Sequence, residues 1–137
     1  MGNQQLLLLV LSVVVVAIAT VAAIHVFGES SKQNQADDVL NRNVRVAQEA
    51  IHWRARQNMH GRRSNASFAP LATDGFDKLQ IEDDLAHTRH AILSASDEVL
   101  EVVGVSTSHP EAGAYVRVRG DRIDSTSVAL DGSITLP

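Results

Sequence analysis

The first 28 residues of this 137-residue chain contain no Asp, Glu, Lys or Arg. The stretch from Leu6 to Phe27 is apolar apart from Ser12, Thr20 and His25. As an α-helix it would be about 33 Å long, at about 1.5 Å per residue, enough to cross the hydrocarbon core of a bilayer. A rod that is apolar all round needs lipid or other protein around its whole circumference, so this stretch limits the possible folds more than any other.

This apolar rod could belong to one of four environments. A cleaved secretory signal fits poorly, because its apolar run is usually about 7–15 residues long and follows Lys or Arg. A buried core helix would have to be wrapped by the remaining chain, and about 80 residues are too few for that. Two interpretations stay open: a membrane span, and a rod buried among copies of the same chain. The residues predicted to drive self-assembly are Leu6, Leu9, Val10, Val13, Val14, Ala17, Ile18, Val21 and Ile24.

The charged residues all come later, with 12 Lys and Arg and 16 Asp and Glu from Glu29 onward and a formal net charge of −4. This weakly acidic balance gives no electrostatic reason to expect a nucleic-acid partner. The sequence has no Cys, which excludes disulfides and thiolate metal sites within it.

A second helical pattern follows the rod. Apolar residues recur at helical spacing at Ala36, Leu40, Val44, Ala47, Ile51 and Ala55, and Val39, Val46 and Trp53 widen the stripe. Pro is absent before Pro70, and Gly28 is the only Gly well inside the pattern. We therefore predict one nearly continuous helix from about Gln5 to about Asn58, apolar over 1–28 and amphipathic over 29–58.

The third part, residues 59–137, is predicted to be a loop followed by a small β head. The loop is His60–Gly75, and a short helical turn follows at Phe76–Leu79. Four β-like runs, separated by turn signals, are His90–Ser94, Val99–Ser106, Ala114–Arg119 and Ser125–Leu130. Their short connections predict an antiparallel meander, covered on one face by the amphipathic helix. The predicted fold class is therefore α+β.

This layout resembles the type IV pilins, the pseudopilins and related filament proteins. They share a long N-terminal helix, apolar in its first half and amphipathic in its second, under a small antiparallel sheet. Those proteins usually have a basic leader that ends in Gly, and a glutamate before the apolar run. Here Met1-Gly2 and Gln5 stand at the corresponding positions. Many pilins also carry a cysteine pair that this sequence lacks.

The resemblance implies a structural subunit that is membrane-anchored before assembly and then forms an extracellular helical homopolymer. The implied partners are further copies of the chain, the inner membrane and a secretion or assembly machinery; no cofactor is expected. Asn3, Gln4 and Gln5 would form a neutral polar cluster, in which Gln5 accepts a hydrogen bond from a neighbour's terminal amine. A polar cap at the membrane interface remains the alternative for this cluster. The alternative function is a single-span membrane protein with a small extracytoplasmic β-rich binding domain.

Signals for catalysis or metal binding are weak. His87 and His90 are three residues apart and follow an acidic run, a spacing that could hold a metal only on a helix. Because His90 begins a predicted strand, we interpret both as surface histidines and expect neither a metal site nor an enzyme. Asn65-Ala66-Ser67 fits an N-glycosylation sequon, which is common by chance.

Two blocks of opposite charge lie close together in the sequence. The basic block, residues 42–63, contains six Arg and Glu49, and the acidic block, residues 74–84, contains five acids and Lys78. The residues selected as possible intersubunit contacts are Arg42, Arg45, Arg62, Arg63, Asp74, Asp77, Glu82, Asp83 and Asp84. Such blocks can pair within one chain, pair between copies or remain solvated.

Overall fold

The computed structural model describes residues 2–59 and 66–137, with side chains described for 2–57 and 66–137. A helix, α1 (Gly2–Met59), is followed by a 3₁₀ turn (Ala69–Ala72) and a short helix, α2 (Gly75–Leu79). Four strands complete the fold: β1 (Thr88–Ala95), β2 (Val99–Ser106), β3 (Gly113–Arg119) and β4 (Arg122–Ala129). The chain divides into two compact units, Met1–Lys32 and Gln33–Pro137.

Helix α1 confirms the prediction of one long helix, beginning three residues before Gln5. It continues through Gly28, where a Cβ atom would meet nothing within 4 Å. Close packing therefore does not require a glycine at this position, and the helix continues through it. Ser12 and Thr20, the two hydroxyl residues of the apolar half, also lie within the helix.

The four strands form one antiparallel sheet in the order β1-β2-β3-β4, which confirms the predicted meander and the α+β class. The last strand begins three residues before the predicted Ser125. Alternation in β3 is as expected: Val116 and Val118 are buried, whereas Tyr115, Arg117 and Arg119 lie on the other face. We call the face that carries Val116 and Val118 the inner face.

Residues 33–57 of α1 cover this inner face. The residues that are buried there lie on a helix face slightly rotated about the helix axis from the predicted stripe. The buried line is Ala36, Val39, Asn43, Val46, Ala47 and Ala50. Ala55 is exposed, so the prediction was wrong at that position. The buried line advances by three or four residues at a time, apart from the adjacent pair Val46 and Ala47, and it includes the polar Asn43, which an apolar pattern does not contain.

The segment before α2 contributes more to the core than its loop-like composition indicated. Phe68 and Leu71 are fully buried against the helix and sheet, and residues 69–72 form a 3₁₀ turn rather than irregular loop. The guanidinium of Arg54 lies 5.0 Å from the centre of the Phe68 ring, which favours this arrangement. The earlier part of the predicted loop, residues 60–65, lies outside the described residues.

The C-terminal residues pack on the outer face of the sheet, opposite α1. A Cβ atom at Gly113 would lie 3.0 Å from Cβ of Ile134, so the tail can pack this closely only because Gly113 has no side chain. The amide of Gly132 donates to the carbonyl of Glu111 at 3.1 Å and holds the start of the tail. Val103, an outer-face residue of the central strand β2, is only 3% exposed.

Candidate functional site

The apolar half of α1 exposes its side chains along its whole length. The large residues predicted to drive self-assembly are 47% to 69% exposed, and Ala17 is also exposed. Within the described residues, α1 is the one helix long and apolar enough to cross a membrane. Burying this surface, in lipid or in other protein, would be favourable by about 1.5–3 kcal/mol for each large apolar side chain.

The two hydroxyl groups of this segment form hydrogen bonds within the helix. The hydroxyl of Ser12 donates to the carbonyl of Leu9 at 2.8 Å, and the hydroxyl of Thr20 donates to the carbonyl of Val16 at 2.8 Å. Neither hydroxyl proton therefore needs an acceptor from outside the helix. His25, the remaining polar residue, lies near the end of the apolar stretch.

The N-terminal polar cluster lies on the first turn of α1. Asn3, Gln4 and Gln5 are helical and exposed, and the turn contains amides rather than carboxylates. The first amide N–H groups of a helix have no acceptor within it, so this end can receive acceptors from outside. The role of Gln5 as an acceptor for a neighbour's amine stays a prediction.

A groove of about 490 Å³ lies in the second unit, between α1 and residues 78–85. Four cationic side chains line it, Arg42, Arg45, Arg56 and Lys78, together with the carboxylates of Glu49 and Glu82. Its buried lining residues are Val46, Leu79 and His90, and the half-buried ring of Trp53 lies on the helix side. Sequence analysis selected several of these residues for their charge but did not predict a groove.

Both charge blocks contribute to this groove, the acidic block through Glu82 and Lys78, and the ion pairs seen here remain local. Arg42 pairs with Asp38 at 3.3 Å, Arg56 with Glu49 at 3.9 Å, and Asp84 with Arg89 at 3.4 Å. The carboxylates selected in the acidic block are exposed. Arg62 and Arg63 lie outside the described residues, as does Asn65 of the sequon. Contact between the blocks of different copies stays a prediction.

His90 is not a surface histidine, so that interpretation was wrong for this residue. It is only 5% exposed, and its two ring nitrogens contact Asn43 and Thr88. The amide of Asn43 donates to the carbonyl of Ala114 at 2.9 Å, so its Oδ1 is left to accept from Nδ1–H of His90 at 2.7 Å. Nε2 then accepts from the hydroxyl of Thr88 at 3.1 Å, which fixes the neutral tautomer.

The pKa of His90 is lowered from 6.5 to about 4, and the largest cause is burial, because the charged ring would lose its hydration. The nearby guanidinium of Arg42 also contributes to lowering this pKa, while the carboxylates of Asp38 and Asp83 act in the opposite direction. His87, in contrast, is exposed. Among residues 2–59 and 66–137, no group of three or more His, Asp or Glu side chains is placed to hold a metal ion.

A polar cluster occupies the outer face of the sheet around Glu101. This carboxylate accepts hydrogen bonds from the hydroxyls of Ser94 and Tyr115, each at 2.8 Å. The bond from Ser94 and then that from Tyr115 lower the pKa of Glu101, and burial raises the pKa of Tyr115. Arg117 completes an ion pair with Glu101 at 3.8 Å. The hydroxyls of Ser94 and Tyr115 satisfy the carboxylate of Glu101, whereas the buried Nε of Arg117 has an ion pair but no hydrogen bond.

No protein-family model, curated protein or solved structure matches this chain. Sequence and structure together define a long N-terminal helix, apolar in its first half, with a small antiparallel sheet packed against its second half. This layout is compatible with a membrane-spanning helix or with a pilin-like helix.

Proposed function

We propose that this protein is a structural subunit of an extracellular pilus-like filament, anchored in a membrane before assembly and polymerised through its apolar helix. The observation that carries the proposal is the fully exposed apolar surface of residues 6–27. This surface is too large and continuous to remain in water, since soluble monomers rarely expose apolar patches beyond a few hundred Å². A membrane and a bundle of identical helices would each remove this surface from water.

The internal hydrogen bonds of Ser12 and Thr20 support either dry environment equally. The layout of the second unit adds support for the filament. Its sheet is already covered by residues 33–57 of α1 and by the C-terminal tail. The head would therefore keep its core inside each subunit while the apolar halves form the filament centre.

Electron microscopy of material sheared from cells that produce the protein tests the proposal. We expect filaments from the wild-type chain and from Val14→Leu, which keeps an apolar side chain. Val14→Asp should abolish filaments, because a carboxylate at the centre of an apolar helix costs about 3 kcal/mol per copy on insertion scales. Membrane fractions must be compared, since the same charge also weakens insertion.

A Val14→Asp variant that inserts into the membrane normally and still forms filaments would contradict the proposal. Membrane-bound monomers without filaments in every sample would favour the second candidate. That candidate is a single-span membrane protein with a small extracytoplasmic β-rich binding domain. The groove between α1 and residues 78–85 is the specific feature that favours it, because a filament subunit needs no such groove.

A further inference from the structure

We propose that the groove between α1 and residues 78–85 binds a small organic anion that combines a carboxylate with an apolar body. The volume of about 490 Å³ lies within the range of about 300–1,000 Å³ that is typical of small-molecule sites. The groove lies wholly within the unit Gln33–Pro137, so this inference does not depend on whether the chain polymerises.

The charge of the lining selects an anion. Four cations face two carboxylates, and the pairs Arg42–Asp38 and Arg56–Glu49 satisfy two of those cations. Within residues 2–59 and 66–137, Arg45 has no carboxylate partner. An exposed guanidinium can bind a ligand carboxylate through two parallel hydrogen bonds.

Lys78 provides a second positive charge that the chain holds in place. Its ammonium donates to the carbonyls of Pro70 at 2.6 Å and Thr73 at 2.8 Å. Carbonyl groups leave the positive charge uncompensated, and one of the three ammonium N–H groups remains for another acceptor. Pro70 and Thr73 are not among the residues that line the groove, so Lys78 adds fixed positive charge near it, while Arg45 provides the contact to the ligand carboxylate.

The rest of the lining explains why the ligand needs an apolar body. Val46 and Leu79 are buried, and the side chains of Trp53, Ile81 and Leu85 are half-buried. A bare inorganic anion would leave these surfaces in contact with water. An aryl or alkyl group would cover them and would gain about 25 cal/mol for each Å² of apolar area removed from water.

Trp53 is the only Trp in the chain, so its fluorescence reports on this groove alone. We would titrate the full chain in detergent micelles with 3-phenylpropanoate and, separately, with its neutral amide. The amide matches the carboxylate in shape and lacks its charge. Two variants would be compared: Arg45→Gln in the groove, and Arg122→Gln, which removes an exposed arginine from β4 outside it.

We expect a saturable change in Trp53 fluorescence with the carboxylate and at least tenfold weaker binding of the amide. Arg45→Gln should weaken carboxylate binding at least tenfold, because it removes the two charge-assisted hydrogen bonds of the guanidinium, whereas Arg122→Gln should not change it. The proposal is overturned by an equal response to acid and amide, by equal affinities of the two variants, or by the absence of saturation. Each of these results would leave the filament proposal untouched.

Discussion

At the scale of single residues, the contact between α1 and the sheet depends on a polar chain that runs from Ala114 through Asn43 and His90 to Thr88. The carbonyl of Ala114 accepts a hydrogen bond from the amide of Asn43, and this amide accepts one from the imidazole of His90. The other ring nitrogen of His90 accepts from the hydroxyl of Thr88. Because the chain is buried, removing one member would leave its neighbour without a partner. An unsatisfied buried polar group costs about 1–3 kcal/mol.

The lowered pKa of His90 predicts that acid destabilises the folded unit. Its folded-state pKa of about 4 lies below the ordinary value of 6.5, so the unfolded chain takes up a proton first as the pH falls. Stability from this residue is complete above pH 6.5 and declines toward pH 4, by about 3 kcal/mol. Urea unfolding at several pH values, followed by Trp53 fluorescence, measures this loss.

Two variants separate this effect from the titration of carboxylates such as Glu101, whose pKa is lowered and whose contribution is lost only at lower pH. His90→Gln should reduce stability at neutral pH and flatten the profile between pH 6.5 and 4. His87→Gln removes an exposed histidine and should keep the wild-type profile. Parallel profiles for wild type and His90→Gln would show that the buried imidazole does not control acid stability.

At the scale of elements, the approach of α1 to strand β2 depends on Gly104. A Cβ atom there would lie 2.5 Å from Nδ1 of His90, 2.8 Å from Cγ1 of Val39 and 2.9 Å from Oδ1 of Asn43. Gly104→Ala should therefore separate helix and sheet and destabilise the protein by about 1–3 kcal/mol, the typical cost of overpacking. The shift in the urea midpoint measures this loss.

Gly28→Ala is the matched control, because a Cβ atom at Gly28 would meet nothing within 4 Å. Ala is more favourable than Gly inside a helix by about 0.5–1 kcal/mol, so this variant should keep or raise the helical content. Far-UV circular dichroism of the full chain in micelles checks this. Equal losses of stability in the two variants would show that close packing at Gly104 is not the cause.

The elements also differ in how far their structure could be predicted from the sequence. The strands were predictable because β-branched residues alternate and turn residues separate them, so that local chemistry decides their position. Asn43 was not predicted to be buried, because Asn in a helical pattern is usually solvent-facing. Its burial depends on hydrogen bonds with the carbonyl of Ala114 and the ring of His90, which are 71 and 47 residues away. Phe68 and Leu71 lie among loop-forming residues, and their burial depends on contacts with distant elements.

The groove shows the same limit at the candidate site. The charges of Arg42, Arg45 and Lys78 are visible in the sequence, but their common position depends on how residues 78–85 return to α1. The apolar rod needed no tertiary contact for its prediction, because its composition alone excludes water as its surroundings. What surrounds it is decided by other molecules, which neither the sequence nor a single chain contains.

At the scale of the whole molecule, the division into two units predicts how stability should depend on assembly. Among the described residues, every core residue lies from residue 33 onward, so a chain of residues 33–137 should fold and remain soluble without detergent. Its urea midpoint should equal that of the full chain held as a monomer in micelles, since the apolar half of α1 adds no core contacts. Circular dichroism and Trp53 fluorescence measure both midpoints.

Assembled filaments should unfold at a higher urea concentration than either monomer. A partner that binds only the folded state stabilises it by mass action, by about 2.7 kcal/mol when its concentration is 100 times the dissociation constant. Neighbouring copies are present at high local concentration in a filament, so contacts between heads would add stability of this order. Filaments are compared with the 33–137 chain at the same pH and salt concentration. Equal midpoints would mean that the heads gain nothing from their neighbours, and that only the apolar halves of α1 hold the polymer together.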